Sequence, residues 1–135
     1  MKTTFDLNTM MYMFLKTLNM AITGDIYKDE RPDGSALEDI VVNTIDLTAD
    51  YAPQIATSNI NIHVPDLDLT IDGRPQKKED TARLESLTKT VINGIRGHHF
   101  EHCGTVIQSQ VVLKDEEVAG QHYTNIRIGW YLHDN

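Results

Sequence analysis

The chain has few of the residues that staple small proteins or hold polyanions. It contains one cysteine, Cys103, so no disulfide can form within it. Nothing therefore points to an oxidising compartment, and a reducing cytoplasm is the expectation. Twelve Lys and Arg stand against twenty Asp and Glu, a formal charge of −8. That balance disfavours a non-specific nucleic-acid binder, whose affinity rests on cations neutralising phosphates, and no sequence-specific nucleic-acid partner is expected. Long apolar runs are missing as well. None approaches the ~18 residues of a membrane span, so no membrane partner is expected. The most apolar stretch, "MMYMFLKTLNMAI", is interrupted by Lys16 and Asn19 and follows no basic run, so it reads as part of the fold and not as a removed signal. There is no internal repeat, glycine-rich phosphate loop, nucleophile elbow or EF-hand spacing, and no cofactor is expected.

What is present is enough for one self-sufficient domain, 1–135. A chain near 150 residues buries roughly 68 to 70% of the surface its unfolded form exposes. Leu7, Met11, Phe14, Leu15, Leu18 and Ile22 recur at helical spacing, which predicts an amphipathic helix with Asp6 as N-cap and Gly24 as stop. "KDERPDGSALE" follows, a turn-rich stretch in which Pro presets φ and Gly accepts positive φ. Its polarity places it outside the core. "DIVVNTIDLT" has strand composition, with Ile40 and Val42 on one side. After a break at "ADYAPQ", Ile60, Ile62 and Val64 alternate with Asn59, Asn61 and His63 as a half-buried strand. "PDLDLTIDGRPQKKED" alternates again, so it is a further strand or an arm leaving the body, isolated by Pro65 and the "DGRP" turn. A second helix is predicted over 79–95, with Gly94 and Gly97 fraying or ending it. The tail reads as a hairpin joined by "KDEEVAGQ", with Ile126, Ile128, Trp130 and Leu132 on one side of its second arm and Asn125, Arg127 and Tyr131 on the other. The class expected is α+β, two helices packed on one face of a largely antiparallel sheet, in the order α-β-β-(β)-α-β-β.

The densest group of reactive side chains is "GHHFEHCG". His98, Glu101 and His102 have the H-x-x-E-H spacing in which two imidazoles on one helix face bind zinc and the Glu activates water. That chemistry needs a helix, whereas the motif lies between Gly97 and Gly104, where a helix end and a link to a strand are expected. His98, His99, His102 and Cys103 also have the donor chemistry of a structural metal site; the preferred reading is a polar connector, with no metal. Asp66, Asp68 and Asp72 do not form an evident acid–base pair, and alternation directs Asp66 and Asp68 to solvent. With Arg74, Lys77 and Lys78 close by, the segment is acidic at one end and basic at the other, which suits head-to-tail contact between identical subunits. Asp66, Asp68, Arg74, Lys77 and Lys78 are therefore the subunit-interface candidates.

The succession of the helix "NTMMYMFLKTLNMAI", the Gly and aromatic-ended apolar pair before a Pro-containing loop in "GDIYKDERPDGSALEDIVVNTI", the strand "NINIHV", the charged lead into "DTARLESLTKTVINGI" and the final strand "TNIRIGWYLHD" resembles the tail-terminator, or tail-completion, proteins of long-tailed phages and prophages. The likeness is one of order and texture over most of the chain. It implies a small α+β subunit that assembles, typically as a hexamer, into a ring that caps the tail tube, stops its polymerisation and helps present the head-joining surface. It further implies tail-tube and head-completion proteins as partners, a place in the virion tail after assembly in the bacterial cytoplasm, no enzymatic activity and no cofactor. The loop 28–38 would then be an interaction surface of the ring. An acidic subunit suits a channel through which DNA must slide without sticking. Alternatives are a head-to-tail connector or a tail-tube subunit, the latter needing more strand to close a barrel, and, less favoured, a small metal-binding hydrolase using "HHFEHC".

Overall fold

The computed structural model describes residues 2–50 and 53–133. In chain order the elements are α1 (Thr4–Thr17), β1 (Ile26–Lys28), β2 (Asp39–Leu47), β3 (Gln54–Pro65), β4 (Leu67–Ile71), β5 (Arg74–Lys78), α2 (Thr81–Arg96), β6 (Cys103–Lys114) and β7 (Gln121–Leu132). Positions 51 and 52, inside the expected break "ADYAPQ", and Asp134, at the end of the expected last strand, lie outside the described residues.

Five strands form one sheet in the order β1-β2-β3-β7-β6, antiparallel except for the parallel pair β1 and β2. The sheet's helix-facing side carries the alternate residues Ile40 and Val42, Ile60, Ile62 and Val64, and Ile126, Ile128, Trp130 and Leu132, all buried. Helix α1 lies against β1, β2 and β3 and α2 against β3, β6 and β7, so Leu7, Met11, Phe14 and Leu15 join Leu84, Leu87, Val91 and Ile95 in a single core. The protein is α+β. A polar chain crosses this core without leaving a member unpaired: the Trp130 indole donates to Ser58 Oγ at 2.8 Å, Ser58 and Thr44 share a bond of 2.7 Å, Thr44 donates to Asn8 Oδ1 at 2.7 Å, and the Asn8 amide donates to Asp29 at 3.1 Å. Such satisfaction is what makes buried polar groups tolerable.

Several expected boundaries move. Thr3, not Asp6, caps α1: its hydroxyl accepts from the Asp6 amide while the Asp6 carboxylate accepts from the Thr3 amide at 2.7 Å, a reciprocal capping box. The helix ends at Leu18, six positions before Gly24, and Asn19 takes a left-handed φ of 51°. Leu18 and Ile22 reach the core from the loop that follows. Gly24 is needed for another reason: its N–H donates to the Glu38 carbonyl at 2.9 Å, and a Cβ there would collide with the Asp39 carboxylate. Gly94 does not fray α2; it lies within the helix, where a Cβ would stand 2.9 Å from a Leu18 methyl. The absent side chain lets the two helices meet. The cap residue of α2 is Asp80, which accepts from the Arg83 amide at 3.2 Å, and Gly97 closes its C-terminus. Strand β1 was not expected, since three residues carry no readable period.

Candidate functional site: anchored loop and projecting arm

Two features stand apart from the core, and both come from turn-rich polar sequence. The first is the loop 29–38 between β1 and β2. Its outer residues Glu30, Pro32, Asp33, Gly34 and Leu37 are exposed, but Arg31 turns inward and corrects the expectation that the whole stretch lies outside the packed body. Its guanidinium donates to Asp39 Oδ2 at 3.3 Å, to Asp115 Oδ2 at 3.0 Å and to Gln121 Oε1 at 2.8 Å. Asp39 also accepts from Ser35 Oγ at 2.6 Å, and the Gln121 amide donates to the Ser35 carbonyl at 2.8 Å. Asp115 in turn caps the β6–β7 turn by accepting from the amides of Glu117 and Val118 at 2.9 and 3.1 Å. One arginine thus ties the early loop to residues more than eighty positions away. Its planar fork is suited to several carboxylate and amide oxygens at once.

A cleft of about 680 Å³ lies beside this anchor, lined by Asp29, Glu30, Arg31, Asn61, His63 and Asp115 among others. His63 Nδ1 is 3.3 Å from Asp115 Oδ2, yet it has no hydrogen-bond partner among the described residues. Burial lowers the His63 pKa below its ordinary 6.5, the Arg31 charge lowers it further, and the carboxylates of Asp115 and Asp39 only partly oppose them. The imidazole is therefore neutral near neutral pH. Burial works against the Asp115 carboxylate, but the two turn amides, His63 and Arg31 outweigh it and hold the pKa below its ordinary value. The charged groups of the site are committed to one another, an arrangement that fixes a loop.

The second feature is the β4–β5 arm, which resolves the choice between strand and arm: it is a separate two-stranded hairpin. Its tip, Asp72 and Gly73, has φ of 52° and 74°, the positive values that an Asp-Gly hairpin turn demands. Register pairs Leu67 with Lys78, Leu69 with Gln76 and Ile71 with Arg74, so these six share one face, while Asp68 and Lys77 lie opposite each other on the second face, 2.7 Å apart. Leu67, Leu69 and Ile71 are 42%, 41% and 38% exposed. The base is fixed to the sheet by the Asp66 amide, which donates to the Gly120 carbonyl at 2.9 Å, and by a 2.7 Å bond between the Asp66 carboxylate and His122 Nδ1. Asp66 therefore does not point to solvent as alternation suggested; its side chain is only 6% exposed. Of the interface candidates, Asp68, Arg74, Lys77 and Lys78 are brought together on the exposed arm, and Asp66, half-buried, is its anchor.

The histidine cluster disperses. Helix α2 stops at Arg96, so His98, Glu101 and His102 follow a turn and share no helical face; His102 has a φ of 59°. His98 stacks on Phe14 at 4.4 Å, the exposed His102 and Glu101 approach to 3.4 Å, and Cys103 enters β6 with its side chain buried in the core. Burial raises the Cys103 thiol above its ordinary 9.0, the setting of an unreactive cysteine. Among the described residues no group of three or more His, Cys, Asp or Glu side chains is placed to hold an ion.

A comparison with protein-family models finds no match to this chain, and a comparison with curated proteins finds none either. Sequence reasoning missed Arg31, Asp39, Asp115 and Gln121 as a unit. Its one available signal was an arginine directly before Pro32 in an otherwise acidic loop.

Proposed function

We propose that the protein is a structural subunit of a phage or prophage virion, a ring-forming tail terminator that caps the tail tube and helps present the head-joining surface. The observation that carries this reading is the β4–β5 arm. It is hydrogen-bonded to the sheet at its base, among the described residues its two strands pack chiefly on each other, and it presents an apolar row with cations along one strand. A monomer gains nothing in stability from such an element, and an assembling subunit gains an intermolecular contact. The sheet and the two helices supply the α+β body expected for that role, and the anchored loop 29–38 supplies a second, firmly placed outer surface. Among the described residues no helix is long and apolar enough to cross a membrane.

Native mass spectrometry of the purified chain over a wide concentration range, with negative-stain imaging of any assembly, tests the reading. A closed ring of about six subunits, built from repeated head-to-tail contacts, is the expected result. A strictly monomeric mass at the highest attainable concentration, with no affinity for tail-tube protein, would sink it.

A further inference from the structure

We propose that the arm of one copy adds as a strand to the open edge of β6 in the next, with β4 lying along the second half of β6 and Leu67, Leu69 and Ile71 contributing alternate side chains to the groove between β6 and α2. This inference rests on the ring-forming reading and names the contact by which the ring would close.

The argument starts from the two sheet edges. At one end of the sheet β1 is three residues long, carries Lys28 and runs straight into the anchored loop, which are the usual protections of an edge. The other edge, β6, is twelve residues long and uncharged from Cys103 through Leu113. A bulge between Ile107 and Ser109 interrupts its pairing with β7, after which "SQVVL" runs unbroken to Lys114. That stretch matches the five residues of β4 in length. Val111, Val112 and Leu113 are all substantially exposed, on both faces of the strand. An unpaired, uncharged edge of this kind is a template for another strand.

The face beside that edge is unfinished. Val112 and Gln110 point toward the helix side, in register with the buried Thr124 and Ile126, but α2 leaves a groove of about 340 Å³ there, lined by Leu84, Thr88, Ile92, Gln110, Val112 and Thr124. A strand added outside β6 would direct every second side chain into it. Strand β4 has an exposed apolar residue at every second position and no proline; Pro75 weakens the outer edge of β5 as an alternative. Charge is compatible: every ionisable group of β5 is a cation, Arg74, Lys77 and Lys78, while the groove is rimmed by Glu79 and by Glu85, the latter paired with Lys89 at 2.6 Å, and Glu116 and Glu117 follow Lys114 at the end of β6. Pairing β6 with β6 in a two-fold dimer would close the assembly at two and leave both arms bare.

The test uses three cysteine preparations of the full chain, Leu69→Cys, Val112→Cys and an equal mixture of the two. Each is treated with a short bis-maleimide at assembling concentrations, with the unmodified chain as the control for buried Cys103. Cross-linked dimer formed mainly in the mixture is expected. Dimer formed equally by Val112→Cys alone would overturn the proposal in favour of edge-to-edge pairing. Rings that assemble but cross-link in none of the three would overturn it while leaving the ring-forming reading intact, whereas absence of any assembly removes the reading itself. A parallel variant, Leu69→Asp, checked for unchanged folding by circular dichroism, should raise the concentration of half-assembly roughly tenfold or more. Unchanged assembly by that variant also counts against the arm.

Discussion

Strand β3 and strand β4 follow each other in the chain and share one pattern. "NINIHV" and "LDLTI" both alternate apolar and polar side chains, and each pattern gives a strand. Yet Ile60 and Ile62 are 0% exposed, while Leu67, Leu69 and Ile71 keep about two-fifths of their surface. The period of two decides which residues share a face and has no bearing on whether another layer covers that face. In β3 the two helices supply the layer. In the arm none of the described helices supplies one, which is why the arm is the natural place to look for a second molecule.

The comparison is sharpened most by removing covered side chains. Trp130→Ala takes out the largest fully buried residue and orphans Ser58 from its indole donor; it should cost about 3 to 5 kcal/mol, read as a lower urea midpoint at unchanged slope. Arg31→Ala attacks the other polar region that became structural. It leaves Asp39 and Asp115 buried without their cation, so a loss of about 3 kcal/mol is expected, accompanied by faster amide exchange in the loop 29–38.

A smaller effect is expected where α2 meets the start of β2. Arg83 donates to both Glu38 oxygens, at 2.7 and 3.0 Å, and to the Ala21 carbonyl at 2.6 Å, but the pair is only partly shielded from water. Arg83→Gln should cost about 1 to 2 kcal/mol, between the values for exposed and for buried pairs, and a double-mutant cycle with Glu38→Gln would show coupling between them.

The body also predicts an acid response. Because the His63 pKa is lowered on folding, both states are neutral above 6.5. As pH falls below that value the unfolded chain takes up a proton that the folded chain refuses, and stability declines until the folded value is reached. Arg83 and then the Thr23 amide lower the Glu38 pKa against the opposing cost of burial, and Asp115 is lowered as well, so their stabilising contributions are full above about 4.5 and are lost as pH falls through the folded values. Thermal melts should therefore show decline beginning near pH 6.5 and steepening in the carboxylate range. His63→Gln should flatten only the first part; a profile identical to the parent's would mean that His63 titrates normally.

The smallest effect closes the comparison. Leu69→Ser, made in the monomer at low concentration, should change stability by no more than about 0.5 kcal/mol, measured by the same urea titration as Trp130→Ala. A loss approaching that of a core residue would mean that the arm is covered within its own subunit.

Most of the fold was legible in the residues. The helical stripes of α1 and α2, the alternation of β3 and β7, the Asp-Gly turn of the arm and the α+β class all follow from spacings within a few positions. The capping of α1 was misread by three residues because Thr3 and Asp6 satisfy each other, and a sequence shows candidates for a cap without showing which accepts from which. Strand β1 was missed because three residues have no period, and the Arg31 anchor because its partners are distant in the chain. Asp66 was misread for the same reason: alternation sent it to solvent, and a contact with His122 fifty-six positions away keeps its side chain buried.

By itself, then, the sequence determined the local geometry, since backbone preference and side-chain periodicity act over one turn of helix or a few residues of strand. The tertiary structure alone decided which apolar faces were covered, which polar loop was pinned and which edge was left open. Each of those depends on groups brought together from remote positions, and the free energy of such contacts exists only once the chain has closed around them.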